Sequence, residues 1–277
     1  MSHPAAADLH LHSEWSWDAP QGGMEESCRQ ARAAGLRVVA FTEHADYTAI
    51  AGGARLDVPG YLDAVARCRR QFPDLTIWSG VELGEPHRFR AEAAAVLDAG
   101  GFDWVLGSLH CVEVQGKLVE SSELGRDPVV APGDLMRAYF GELLALIRGP
   151  VRFQVLAHLE YPKRYWPAGW APYDPGDYQE EIRGVLAAAA AAGLVLELNT
   201  SRGQDPERRM CPAPVVLRWW REAGGRAVSL GSDAHQPAWV AGGFALAQDV
   251  VAAAGFAADQ ARLGLWASVS GSGPHTG

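Results

Sequence analysis

Apolar residues along the chain gather into short, nearly continuous runs, separated by longer stretches in which they recur at helical spacing. The runs Ala6–His12, Arg37–Thr42, Thr76–Glu82, Phe102–His110, Phe153–His158, Val195–Asn199 and Ala227–Asp233 have the unbroken hydrophobicity of parallel strands covered on both faces. Between them, Met24–Ala34, Tyr61–Phe72, Leu135–Ile147 and Glu180–Ala192 read as amphipathic helices. In the second of these, Leu62, Val65 and Phe72 share one face and Arg67, Arg69 and Arg70 turn elsewhere, while Gly193 stops the last. Alternating β and α units imply a parallel sheet with right-handed crossovers. Seven units in one run, without a Pro-, Gly- or Ser-rich linker, favour a single closed α/β barrel over two doubly wound lobes. We place one domain over residues 1–267 and expect the small polar tail 268–277 to be disordered. The stretches Cys111–Gly133 and Tyr161–Gly176 do not fit the repeat. Each is polar, contains Gly and Pro, and follows a strand end, where barrel insertions shape access to the mouth.

Composition narrows the function classes. With 24 Lys+Arg against 33 Asp+Glu the net charge is −9, which disfavours a sequence-independent nucleic-acid binder because such proteins need a basic footprint. A small phosphorylated substrate stays open, since bound metal reverses the local field. The longest apolar run, Gly184 to Leu196, is shorter than a membrane-spanning helix and is interrupted by Gly193. Motif-like residues from Asp8 onward leave no room for a secretory signal. Cys28, Cys68, Cys111 and Cys211 form no CxxC pair and read as packing thiols of a reducing compartment, so the cytoplasm is expected. No membrane or nucleic-acid partner is favoured.

The chemistry lies at the strand ends. The first strand ends in His10 and His12, with Asp18 in the loop beyond. The second leads to His44, the third to Glu82, the fourth to His110, the fifth to His158, the sixth to Asn199 and the seventh to Asp233 and His235. Six of the nine histidines thus lie on the rim where barrel active sites are built. Any one of them alone would ordinarily be a hydrogen-bonded core or surface residue, Asp233 a helix cap and Glu82 a solvated strand end. Chance placement does not explain why seven strands deliver ligand types to the same end. Within His10-Leu11-His12 the two-residue period of a strand aims both imidazoles at one point while Leu11 packs away. Imidazoles and carboxylates without thiolate suit Zn²⁺, Mn²⁺ or Fe²⁺. There is no GxSxG elbow, no GxxxxGK[ST] phosphate loop and no GxGxxG after a strand. Cys111, next to His110, reads as a packing thiol. Trp15, Trp17, Trp166 and Trp170 fall in rim loops, as ring-binding walls or, our preference, as caps over the barrel.

In order along the chain, Asp8-Leu9-His10-Leu11-His12-Ser13, Thr42-Glu43-His44, Gly80-Val81-Glu82, Gly107-Ser108-Leu109-His110, Ala157-His158, Glu197-Leu198-Asn199-Thr200-Ser201 and Gly231-Ser232-Asp233-Ala234-His235 resemble the PHP (polymerase and histidinol phosphatase) superfamily. The resemblance runs from Asp8 to about Gly255. It is nearest the monofunctional histidinol-phosphate phosphatases, in length and in the Lys163-Arg164-Tyr165 and Asn199-Thr200-Ser201 segments. It implies a distorted (β/α)7 TIM-like barrel with two to three divalent metal ions (Zn, Mn or Fe) at the C-terminal rim. By motif, one ion takes His10, His12, Glu82 and Asp233. Glu82 bridges to a second held by His110 and His158, and Asp18, His44 and His235 hold a third. Some members carry histidine where Asp18 stands, and Ser201-Arg202-Gly203 reverses the usual Gly-then-basic order.

The expected reaction is metal-dependent phosphomonoester hydrolysis, with histidinol phosphate as substrate and a metal-held hydroxide as attacking group. Arg164 leads the phosphate contacts, followed by Arg202, Lys163 and Ser201. No general acid stands out; Glu43 is a weak candidate and could equally anchor His44. Two alternatives are another PHP phosphoesterase, acting on phosphotyrosine, nucleotides or oligonucleotide ends, and a non-catalytic metal-bound domain of the kind appended to polymerases. The intact ligand set argues against the latter. Both monomer and homodimer are compatible with the family.

Overall fold

The computed structural model describes residues 7–123, 131–259, 261–262 and 264–269. Seven parallel strands form the barrel wall: β1 (Ala7–Leu11), β2 (Val38–Ala45), β3 (Thr76–Gly84), β4 (Trp104–Ser108), β7 (Val155–Leu156), β8 (Val195–Asn199) and β9 (Ala227–Gly231), neighbours in that order. These are the seven strands the apolar runs predict. The second and third run two or three residues further than expected, which places His44 inside a strand and not past its end, and Glu82 two residues before the end of another. The fifth is reduced to two residues, and His158 lies beyond it.

Helices α1 (Met24–Ala33), α2 (Val58–Gln71), α4 (Pro132–Arg148) and α5 (Gln179–Ala191) match the predicted segments within a few residues. Unpredicted are α3 (Arg90–Ala99), the single turn α6 (Pro206–Arg209), α7 (Pro214–Glu222) and α8 (Phe244–Ala253). In α2 the buried face is Val58, Tyr61, Ala64, Val65 and Cys68, with Leu62 only partly covered. Asp57 caps it by accepting from the Gly60 N–H at 3.2 Å. The described first part of the first insertion forms an antiparallel hairpin of β5 (Cys111–Val114) and β6 (Lys117–Glu120), and the second insertion is mostly loop and single helical turns. No helix among the described residues is long and apolar enough to cross a membrane.

Strand parity explains the two halves of the barrel interior. Ala7, Leu9, Val38, Ala40, Trp104, Leu106, Val155, Ala157, Val195 and Ala227 form one buried apolar cluster at the strands' N-terminal half. Continuing by twos along the same faces gives His44, Glu82, Ser108, Glu197 and Asn199, a polar upper half. The intervening residues, such as Val39, Phe41, Leu196 and Val228, face outward into the core beneath the helices. Parity breaks at β1 and just past β7, where His158 turns inward at positive φ directly after the inward Ala157. A register shift between Asp8 and Leu11 lets Leu9 join the apolar layer while His10 and His12 join the polar one, the re-aiming role of a β-bulge.

Closure is asymmetric. At the rim β1 meets the chain just past β9: Leu11 bridges Ala234, the His12 N–H donates to Ala234 at 2.9 Å and the Asp233 N–H to His10 at 2.8 Å. Lower down, β9 pairs antiparallel with β11 (Leu265–Ser268), which carries β10 (Phe256–Ala258) as the outermost strand of a nine-stranded sheet. This C-terminal hairpin is not predicted from the sequence. Ser268, placed by expectation in a disordered tail, instead completes β11, and residues 270–277 of that expected tail lie outside the described residues.

Between β2 and β3 the Tyr61 hydroxyl donates to the Phe41 carbonyl at 2.7 Å and accepts from the Gly80 N–H at 2.8 Å. Tyr61→Phe removes a hydroxyl bonded to two buried backbone groups and is expected to cost about 2 kcal/mol, read as a lower urea midpoint at unchanged m-value.

Candidate metal centre

Glu82, 1% exposed, sits at the middle of the upper layer. Its Oε2 lies 3.2 Å from His10 Nε2, 3.4 Å from His12 Nε2 and 3.2 Å from His44 Nδ1. Its Oε1 lies 2.7 Å from His158 Nε2, 3.3 Å from His110 Nε2, and accepts the Ser108 hydroxyl at 2.6 Å. Asp233 Oδ1 completes the first group at 4.0 Å from His10 Nε2 and 3.6 Å from His12 Nε2. Asp18 forms the third, 3.5 Å from His44 Nε2 and 3.0 Å from His235 Nε2. All nine predicted ligands therefore converge, in three adjoining groups.

The spacing fits cations. Four ligand atoms at about 2.0–2.1 Å from a tetrahedral ion are about 3.3 Å apart, and the separations above straddle that value. His44 Nδ1, His158 Nδ1 and Asp18 Oδ1 are buried without a hydrogen-bond partner among the described residues. Overlapping triads such as His10, His12, Asp233 and Glu82, His110, His158 bring their donor atoms within 4.8 Å of one another.

Protonation is strongly divided in this cluster. Burial opposes charge on His10, but Glu197 and Glu82 outweigh it and hold the imidazole well above its usual range. Burial likewise yields to Asp18, Asp46 and Glu82 at His44, raised to about 10, and to Asp46 and Glu82 at His110. His12 is pushed well down by burial and by the neighbouring imidazoles of His44, His235 and His10. The Glu82 carboxyl resists the cost of burial and stays well below the ordinary carboxylate range because His10, His44 and His110 surround it.

Residues behind the ligands fix their aim. Glu197 accepts from His10 Nδ1 at 2.6 Å and from the His158 N–H at 2.7 Å, leaving His10 Nε2 for the centre. Gly231 has room for no side chain: a Cβ there would stand 2.2 Å from Glu197 Oε1 and 2.5 Å from His10 Cβ. Asp46 touches His110 Nδ1 and His44 Nδ1, each at 3.2 Å, and accepts the Trp17 indole N–H at 3.0 Å. Neither Glu197 nor Asp46 is a sequence-predicted site residue; the inward parity of β8 is the signal that would have found Glu197.

Of the two roles expected of it, Glu43 takes the one behind the ligands, and it stands outside the cleft where a general acid would act. Fully buried, it accepts from the Ser13 hydroxyl and the Ser16 hydroxyl, both at 2.6 Å, and Ser16 in turn contacts His12 Nδ1 at 3.0 Å. Through Ser16, which also accepts the His44 N–H at 3.1 Å, it steadies both His12 and His44, and it does not line the cleft.

The cleft over the centre measures ≈ 410 Å³ and is bordered by Trp17, Glu120, Glu123, Tyr161, Arg164, Ser201, Arg202 and Arg209. Arg164 donates to Asp233 Oδ2 at 3.0 Å, Asn199 Oδ1 at 2.6 Å and the Arg209 carbonyl at 3.2 Å. Arg202 donates to the Asp233 carbonyl at 3.0 Å and lies over the Trp239 ring at 4.7 Å. Ser201, Arg202 and Gly203 all have positive φ, a strained run held by the Arg202 N–H on Ser232 at 2.7 Å. Lys163 departs from its expected role as a phosphate contact: its ammonium turns away from the cleft toward Glu160 at 3.5 Å. Cys111 is buried in β5, its thiol pushed up to about 12 by burial and by Glu85, in keeping with a packing role.

Two measurements test the site. Because the raised imidazoles of His10, His44 and His110 must lose protons before they ligate, metal affinity is expected to rise with pH, falling by about tenfold per competing proton for each unit of acidification. Chelator competition between pH 8 and 6 reads this. In Glu197→Gln the amide can still accept from His10 only by facing its NH₂ toward the His158 N–H. The expected result is a roughly 10–100-fold loss of zinc affinity in the same titration.

A PHP-domain family model matches residues 8–201. The chain is 26% identical to the histidinol-phosphatase of Lactococcus lactis over 82% of this chain and 83% of that protein. It is 30% identical to a probable histidinol-phosphatase of Deinococcus radiodurans over 86% and 89%. The crystal structure of the Lactococcus lactis histidinol phosphate phosphatase with zinc, L-histidinol and phosphate superposes with a TM-score of 0.77 at 25% identity, covering 91% of this chain and 95% of that one. With the same barrel and the motif residues gathered at one rim, the chain belongs to the PHP-domain family.

Proposed function

We propose that this protein is a metal-dependent phosphatase that hydrolyses histidinol phosphate to histidinol and phosphate. The observation that carries the reading is a cation-spaced centre with arginine built into its wall. A guanidinium has five N–H donors, and Arg164 spends three of them on Asp233, Asn199 and Arg209. Two remain for phosphoryl oxygens in the cleft, in the planar fork that suits phosphate. Divalent cations held by the nine ligands would supply Lewis-acid polarisation and a water acidified toward neutrality.

The remaining work falls to the chain itself. Arg202, fixed by Trp239 and the Asp233 carbonyl, and Ser201 border the same end of the cleft and complete the phosphate cradle. Glu120 and Glu123 come from the first insertion; carboxylates there complement the ammonium and imidazole of histidinol. We assign three cations, of zinc, manganese or iron, to the three ligand groups. We retain a single domain and a cytoplasmic setting, which four buried, unpaired cysteines support.

The deciding assay is phosphate release by metal-replete protein. A kcat/KM of about 10⁴ M⁻¹s⁻¹ or more for histidinol phosphate, far above phosphotyrosine and a nucleoside monophosphate and abolished in His10→Ala/Asp233→Ala, is expected. Arg164→Lys, which keeps the charge and loses the fork, should lower kcat/KM by about 10²-fold. Preference for another ester would move the substrate, and inactivity of metal-loaded protein would overturn the reading.

A further inference from the structure

Beside the metal-bearing cleft a second cavity of ≈ 420 Å³ opens between the second insertion and the segment leading to α7. Its walls are the rings of Trp166, Trp170 and Tyr173. Two of them are pinned: the Trp166 indole donates to the Ala171 carbonyl at 2.8 Å, and the Tyr173 hydroxyl donates to Glu160 at 2.6 Å. They meet edge to face with centroids 5.4 Å apart. Trp170 lies 52% exposed, leaving much of a large apolar ring in water beside a ready-made apolar wall.

The polar part of this cavity is Lys163, only 3% exposed. An ammonium has three N–H donors. Here its one hydrogen bond among the described residues is the 3.5 Å approach to Glu160 Oε2, an oxygen that already receives the Ala213 N–H. A cation so far removed from water gains from a further acceptor, and the cavity offers the space for one. Consecutive side chains of a 3₁₀ turn project about 120° apart, which is how Lys163 serves this cavity while Arg164 serves the other. At the mouth stand Arg208 and Asp205, so the two cations are matched by Asp205 and, behind Lys163, Glu160. That balance suits a ligand carrying both signs better than a bare anion.

We propose that this cavity is a second small-molecule site, taking an aromatic α-amino acid. The ring lies against Trp166, Trp170 and Tyr173, the carboxylate meets Lys163, and the ammonium faces Asp205. The site does not depend on the phosphatase reading.

The test uses full-length, metal-replete protein with L-phenylalanine as probe, followed by calorimetry and by tryptophan fluorescence excited beyond the absorbance of the ligand. Saturable binding with a change in emission is expected. 3-Phenylpropionate, which lacks the ammonium, and phenethylamine, which lacks the carboxylate, should each bind about tenfold more weakly. Lys163→Met should weaken L-phenylalanine similarly but strips Glu160 of its cation. Trp170→Ala, at the surface, is therefore the deciding variant: it should lose about tenfold in affinity and keep its phosphatase activity within about twofold. Saturating inorganic phosphate in the metal cleft should leave the binding untouched. No heat or quench up to roughly 10 mM, affinity that survives Trp170→Ala, or displacement by phosphate would overturn the proposal.

Discussion

A single buried carboxylate sets the terms for this molecule. Glu82 shares its two oxygens among the imidazoles of His10, His12, His44, His110 and His158, which arrive from or just beyond four different strands. An isolated charge so placed would be prohibitively costly to remove from water, so the fold is compatible with Glu82 only if those strands bring their partners to one point. Building the barrel and building the site are then the same requirement. The apolar lower layer provides the rigid base, and each inward-facing position one pleat higher contributes a polar group.

Convergence at this density has to be policed from behind. Glu197, Asp46 and the Glu43–Ser16 pair each restrain a ligand by the nitrogen turned away from the centre. Their presence requires space. Gly84 leaves room for Asp46, whose Oδ1 would lie 2.0 Å from a Cβ at that position, as Gly231 does for Glu197. Two glycines are therefore part of the site although neither supplies a ligand atom.

Much of this was legible in the sequence, for identifiable reasons. The ligands sit at the ends of apolar runs, where a change from hydrophobic to His, Glu or Asp is conspicuous, and the two-residue period of His10-Leu11-His12 survives in the structure because Leu11 packs outward. Asp46 was hidden because β2 continues past Thr42 to Ala45, so a residue read as distant loop is the inward position after His44, immediately beyond the strand's end. Glu197 lies inside an apolar run, where a lone carboxylate looks like an edge residue. Lys163 and Arg164 were taken together because adjacency in sequence says nothing about direction in a 3₁₀ turn. The C-terminal hairpin escaped because β10 and β11 are too short to show alternation.

The seam of the barrel has a consequence for how the protein is made. At the rim, β1 and the end of β9 are joined by few backbone bonds, and the ligand groups straddle that join, with His10 and His12 on one side and Asp233 and His235 on the other. The two sides are separated by almost the whole chain, so this contact closes a very long loop and must come late in folding. These residues would hold a cation from both sides of the join, and binding there would favour the closed ring by mass action. During synthesis, the first-made residues of the centre must wait for the last strand to emerge, so the complete ligand set exists only once the barrel is closed.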